Sequence, residues 1–331
     1  MGGDSSTLEN STRFEYEQKL SYYKERKAQE NMNYAQFGQY NQYGHNIYQM
    51  PSPPIENYKP GSNFILCELY VYKDDRNKKQ RIISSYEEHC RNFGFEMVED
   101  LKNEEQIKNC TIYIDGKQIP FTYTYSFAKT GTHKVKFVFN FPLTNCSYMF
   151  YNCDYKTMDL SKFDTSYVTD MSFMFYNCSC TEKFNLSNFN TQNVHDMSYM
   201  FYDCSGTYEL NLTSFNTQNV VNMTKMFANC TKLIRLYISS FNTINVKYMN
   251  HMFYNDFTLN ELDLSSFNTQ NVLDMNGMFK KCSFIKSINL LNFSTKNVIN
   301  LDDMFKDCKA FDDKNIITND PGILTLLGKY Y

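Results

Sequence analysis

The sequence predicts an α/β repeat protein: a solenoid of stacked strand–turn–helix units with a small β-rich N-terminal capping domain and a flexible N-terminal tail. Two columns of residues predict it. The pair Met-Phe recurs at 149–150, 174–175, 200–201, 226–227, 252–253, 278–279 and 304–305, with one step of 25 residues and then five of 26. A second column, Phe163, Phe189, Phe215, Phe241, Phe267 and Phe293, keeps the 26-residue step. A fixed period of this size means stacked supersecondary units, each too small to bury its apolar face alone. At 331 residues the chain exceeds the ~250–300 residues at which a single core stops growing, a limit that a repeat core avoids by extending along one axis.

Residues 1–62 read as a low-complexity, partly helical tail and linker. From Ser11 to about Phe37 there is no Pro or Gly, and the charges suit a solvated helix. The following stretch, FGQYNQYGHNIYQMPSPPIENYKPGS, is too polar and turn-rich to bury a core. Residues 63–140 read as the small β-rich domain capping the array. FILCELYVY is strand-like, Asp115-Gly116 between β-prone runs signals a hairpin, and GTHKVKFVFNF alternates as a half-buried strand does. RIISSYEEHCRNFGF between them is a short-helix candidate.

Residues 141–308 are the array, and the clearest copy runs from Leu259 to Cys282. Leu262 and Leu264 alternate as a short strand would. Val272, Met275, Met278, Phe279 and Cys282 lie at i, i+3, i+6, i+7 and i+10, the spacing of one helix face, with Thr269 or Asn271 placed to cap it. Cys153, Cys178, Cys204, Cys230, Cys282 and Cys308 form a further column. Small buried thiols, reduced rather than paired, fit that position, since stacked units would hold their Cβ vectors parallel. Asp256 replaces Cys in one repeat and is expected where that repeat opens to water, because a buried unpaired carboxylate is costly. Residues 309–331 lose the period and read as a C-terminal cap or tail, with Pro321-Gly322 marking a turn.

The motif L-x-x-L-D-L-S-S-F-N-T-x-N-V-x-x-M-x-x-M-F-x-x-C, complete at Leu259–Cys282 and largely kept at Leu210–Cys230, resembles the BspA-like leucine-rich repeat of bacterial surface proteins and protist protein sets. The resemblance covers about half the chain. It implies a leucine-rich-repeat solenoid and protein binding, and some secreted members are adhesins. The N-terminus carries no apolar h-region of a secretory signal, so a cytoplasmic location is expected. Cell-surface adhesion and a structural part of a large assembly are the alternatives.

Met, Phe, Val and Cys at regular spacing belong to the core. The abundance of Asn, Tyr, Phe, Lys and Ile reads as compositional bias. What varies on the expected concave strand face is the better functional candidate: Lys183, Glu209, Arg235 and Glu261 in one column, Tyr237 and Asp263 in the next. Arg and Tyr are enriched in binding hot spots, whereas Lys183–Glu209–Arg235–Glu261 could also be a solvated row of charge pairs, each worth little. Met1-Gly2-Gly3-Asp4-Ser5-Ser6 fits the myristoylation pattern, which makes Gly2 a candidate for a weak membrane tether. A net charge of −3 without a clustered basic face argues against nucleic acid. No phosphate-binding Gly loop, nucleophile elbow or zinc motif is present. The expectation is therefore a non-enzymatic protein-binding scaffold without a cofactor or metal.

Overall fold

The computed structural model describes residues 12–21, 24, 61–179, 183–256, 258–259, 262–283, 285, 287–308 and 316–330. The expected leucine-rich-repeat solenoid is not what it holds. The architecture is a six-stranded mixed sheet, three two-stranded sheets and four short α-helices. Among the described residues no helix lies between 109 and 320.

Helix α1 spans 12–21. Strand β1 (Asn63–Val71) alternates buried and partly exposed residues, and β2 (Lys79–Arg81) follows. Helix α2 (Tyr86–Phe93) is set by its ends: Ser85 Oγ accepts from the Glu88 N–H, and Gly94 closes the helix at φ 68°. Helix α3 (Glu104–Lys108) leads into β3 (Cys110–Ile114), and the Asp115-Gly116 turn joins β3 to β4 (Lys117–Ile119). Strands β5 (Thr124–Ser126) and β6 (Gly131–Phe139) complete this region.

The array contributes β7 (Thr157–Lys162), β8 (Lys183–Asn185), β9 (Glu209–Asn211), β10 (Arg235–Tyr237) and β11 (Ile288–Asn289). Beyond it, β12 (Ile316–Ile317) pairs with β11, and helix α4 (Pro321–Tyr330) follows. The expected turn at Pro321-Gly322 is instead the start of α4, where proline's missing N–H costs nothing.

The large sheet has the order β4-β3-β6-β1-β7-β8. Strand β1 pairs antiparallel with both β6 and β7, and β7 pairs parallel with β8. The β-rich segment and the first repeats thus share one sheet. The segment's central strand carries the sheet straight into the first repeats.

The Met-Phe segments are not helical. Each repeat places two residues four apart at positive φ, for example Tyr199 (57°) and Asp203 (55°), or His251 (57°) and Asn255 (63°). That conformation interrupts any right-handed helix. Backbone donors alternate instead. Tyr199, Phe201 and Asp203 N–H groups reach the Thr224, Met226 and Ala228 carbonyls of the next repeat. Met200, Tyr202 and Cys204 N–H groups turn back to Met197, Tyr199 and Phe201. Isolated parallel bridges run through Asn145, Asp170, Asp196, Asn222, Tyr248, Asp274 and Asn300.

Thr269 and Asn271, expected as helix caps, tie repeats together. Thr269 Oγ1 donates to the Ser294 carbonyl and accepts from the Ser294 N–H, and Asn271 Nδ2 donates to the Ile244 carbonyl. The expected strand at Leu262–Leu264 carries no strand assignment, although both leucines are buried.

Val, Met, Met, Phe and Cys face the core as expected. The Phe rings of successive Met-Phe pairs stack, as Phe201–Phe227 at 5.8 Å and Phe227–Phe253 at 5.7 Å do. Among the described residues every cysteine is a free thiol. Cys204, Cys230, Cys282 and Cys308 donate through Sγ to the Phe175, Phe201, Phe253 and Phe279 carbonyls.

The expected flexible tail also needs correcting at 12–21. Helix α1 buries Thr12, Glu15, Tyr16 and Lys19, so it is not a solvated helix. Its extension to Phe37 and the linker that follows lie outside the described residues.

Candidate partner-binding surface

The strand columns come together in part. In β9 and β10, Glu209 pairs with Arg235, Leu210 with Leu236, and Asn211 with Tyr237. Period-two alternation buries both leucines and points the other four side chains to solvent. Arg235 Nε lies 2.7 Å from Glu209 Oε2, with both side chains largely exposed. Such a pair fixes geometry more than it stabilises. Tyr237 is exposed beside it, and so are Tyr208 and Ile234, the residues just before the two strands. The Ile234 N–H donates to the Tyr208 carbonyl, which holds these two apolar residues on adjacent repeats. Tyr208 and Ile234 were passed over in the sequence because they lie outside the alternating columns. Their signal was simply an apolar residue ahead of a strand.

The other candidates stand apart. Lys183 is on β8, in the large sheet. Asp263 is exposed, and the Ser265 side-chain and backbone donors hold its carboxyl below the usual range. Glu261 and Gly2 lie outside the described residues. Asp256, expected at a water-filled opening, is fully buried. Its Oδ1 accepts from the Cys230 N–H at 2.8 Å, its Oδ2 has no partner among the described residues, and burial holds the carboxyl's pKa well above the ordinary value. Among the described residues no group of three His, Cys, Asp or Glu side chains could hold a metal ion, and no helix is long and apolar enough to cross a membrane.

A second face is aromatic, and compositional bias does not account for it. Tyr148, Phe173 and Tyr199 stack at 4.5 and 4.4 Å, and Tyr151, Tyr176 and Tyr202 each at 4.7 Å. Helix α1 lies on these two columns. Tyr16 stacks on Phe95 and donates to the Glu96 carbonyl. Lys19 reaches Ser172 Oγ and lies 3.4 Å from Asp170 Oδ2, with its ammonium over the Tyr148 and Phe173 rings. This face was legible as a switch. Both columns are aromatic in the first three repeats and then become Lys225 and Ala228.

The family described as "Mycoplasma protein of unknown function, DUF285" matches residues 144–235 and 205–319, together more than half of the chain. The chain belongs to this family. It is thus a repeat protein of a family without an assigned function. No curated protein and no solved structure matches it.

Proposed function

We propose that the array is a non-enzymatic scaffold that binds a protein partner through the exposed side chains of β9 and β10. One observation carries this reading: Tyr237 is exposed on the same strand face as Arg235, which pairs with Glu209, and Tyr208 and Ile234 are exposed just before the two strands. Apolar and aromatic groups beside an arginine are the composition of an interface hot spot. An exposed apolar cluster rimmed by polar groups marks a contact surface more often than a bare one. The alternation of β9 and β10 places Glu209, Asn211, Arg235 and Tyr237 on one face of a two-stranded sheet. The resemblance of the repeat motif to BspA-like proteins, a finer placement within the repeat family, supports protein binding in the same direction.

The test is affinity capture with the full chain, wild type against Tyr237→Ser with Arg235→Ala. A partner held through this row is retained by the wild type and lost from the double variant, while a surface change such as Lys232→Ala leaves it in place. Equal retention by all three chains would remove the row from the interface.

A further inference from the structure

The column that is aromatic under α1 changes character after Tyr199, which is followed by Lys225, His251, Gly277 and Asp303. Three features meet there. Lys225 is largely buried, with its ammonium 5.1 Å from the Tyr199 ring centroid, 6.0 Å from Tyr202 and 5.4 Å from Phe14 of α1. It has no hydrogen bond or ion pair among the described residues. His251 Nδ1 is buried and unpartnered as well. Its ring occupies the space left by Gly277, where an added Cβ would lie 2.7 Å from His251 Nε2. A cavity of about 440 Å³ opens beside these groups, with Tyr202, Tyr254 and Lys280 also on its wall.

We propose that this cavity is a binding site for an oxyanion, a phosphate group held by Lys225 and His251 between the Tyr202 and Tyr254 rings. A largely buried ammonium over ring faces, with no ion pair among the described residues, lacks a charge-assisted partner in contact, although the buried Glu15 of α1 acts on it through space. Lysine is a point-charge phosphate ligand, and a neutral imidazole donates from a protonated Nδ1. Two of the neighbouring acidic groups are compensated. Lys280 is paired with Asp303 at 2.7 Å, so that carboxylate is already neutralised. Asp274, also on the cavity wall, accepts from the Asn276 N–H, and its burial raises the carboxyl's pKa. Burial lowers the Lys225 pKa. Burial and then Lys225 and Lys280 lower His251 to about 4. Against these, Glu15 of α1 raises the Lys225 pKa and Asp303 raises that of His251. The inference does not depend on the β9–β10 row.

Calorimetric titration of the full chain with inorganic phosphate tests it. Saturable binding is expected, weakened by at least about tenfold in Lys225→Met and unchanged in Lys232→Met. The methionine keeps the stem's contact with the rings and removes the charge. Thermal unfolding without phosphate separates a site from a structural prop. Lys225→Met should raise the midpoint if the lysine is kept for a ligand at a cost in stability, and lower it if the ammonium's attraction to the ring faces is its purpose. A pentapeptide carrying phosphoserine distinguishes the sources. Tighter binding than inorganic phosphate points to a phosphorylated partner segment, and equal binding to the free anion. Absence of saturable phosphate binding by the wild type, or equal binding by Lys225→Met, overturns the proposal.

Discussion

Asp256 interrupts a column of thiols at a point where the backbone has a use for a donor. In this column Cys230 Sγ donates to the Phe201 carbonyl and Cys282 Sγ to the Phe253 carbonyl. The same offset from residue 256 points at Phe227, whose carbonyl would be served by a protonated carboxyl. Burial holds the Asp256 pKa well above its ordinary value, so the folded state keeps a proton that the unfolded state releases. Stability from this residue is complete below the unfolded carboxyl value of ~3.9 and falls as pH rises from there towards the folded value. Asp256→Cys should remove that fall. Urea unfolding of both chains between acid and neutral pH measures it, and parallel pH profiles would mean that Asp256 is ionised in place. Met226 and Phe227 are fully buried, and truncating either to Ala should cost ~2–5 kcal/mol. A loss under ~0.5 kcal/mol in the same assay would contradict that packing. Such core positions were legible from spacing alone. The state of Asp256 was not, because sequence position does not say whether a column meets water.

At the scale of elements, the period was read correctly and its conformation was not. Val272, Met275, Met278, Phe279 and Cys282 have helical spacing and are all buried. Gly277 and Lys281 sit at φ 57° and 65° among them, and helical spacing carries no information about residues that leave the helical region. Period-based reading cannot separate a helix face from a run of turns with the same buried positions. What replaces the helix is pairing between repeats, and the threonine column tests it. Thr217 is buried, its Oγ1 donating to the Asn242 carbonyl at 3.0 Å and accepting from the Asn242 N–H at 2.8 Å. Thr217→Val should cost ~1 kcal/mol, because two part-buried backbone groups of Asn242 lose their partner. Thr217→Ser keeps both bonds and should cost less, as chemical denaturation of the three chains would read. Equal costs would mean that the methyl, not the hydroxyl, matters. The α1 contact is as specific. Lys19→Ala removes the partner of Ser172 and Asp170 and should release α1 to limited proteolysis. The β9–β10 row was visible in the variable columns. The aromatic face shows in the sequence only as the switch to Lys225 and Ala228; its cover by α1 does not.

At the scale of the whole molecule, the decisive feature is that one sheet crosses from the β-rich segment into the array. Strand β1 is hydrogen-bonded on both sides, to β6 across nine residue pairs and to β7 from Phe64 to Glu68. Leu66 faces Lys136 on one side and Asp159 on the other. No composition shift near residue 140 announces this, since pairing over such sequence distances leaves no local signature. If the sheet is one cooperative unit, damage to its central strand must reach both neighbours. Leu66→Pro removes a ladder donor and fixes φ in mid-strand, a change costing ~3 kcal/mol or more in regular structure. Hydrogen exchange should then lose protection at 131–139 and at 157–162 together, while 209–211 and 235–237, in a separate two-stranded sheet, change less. Retained protection at 157–162 with loss at 131–139 would show that the array holds its first strand without help. In that case the β-rich segment would only abut the repeats, and the shared sheet would contribute alignment but no stability.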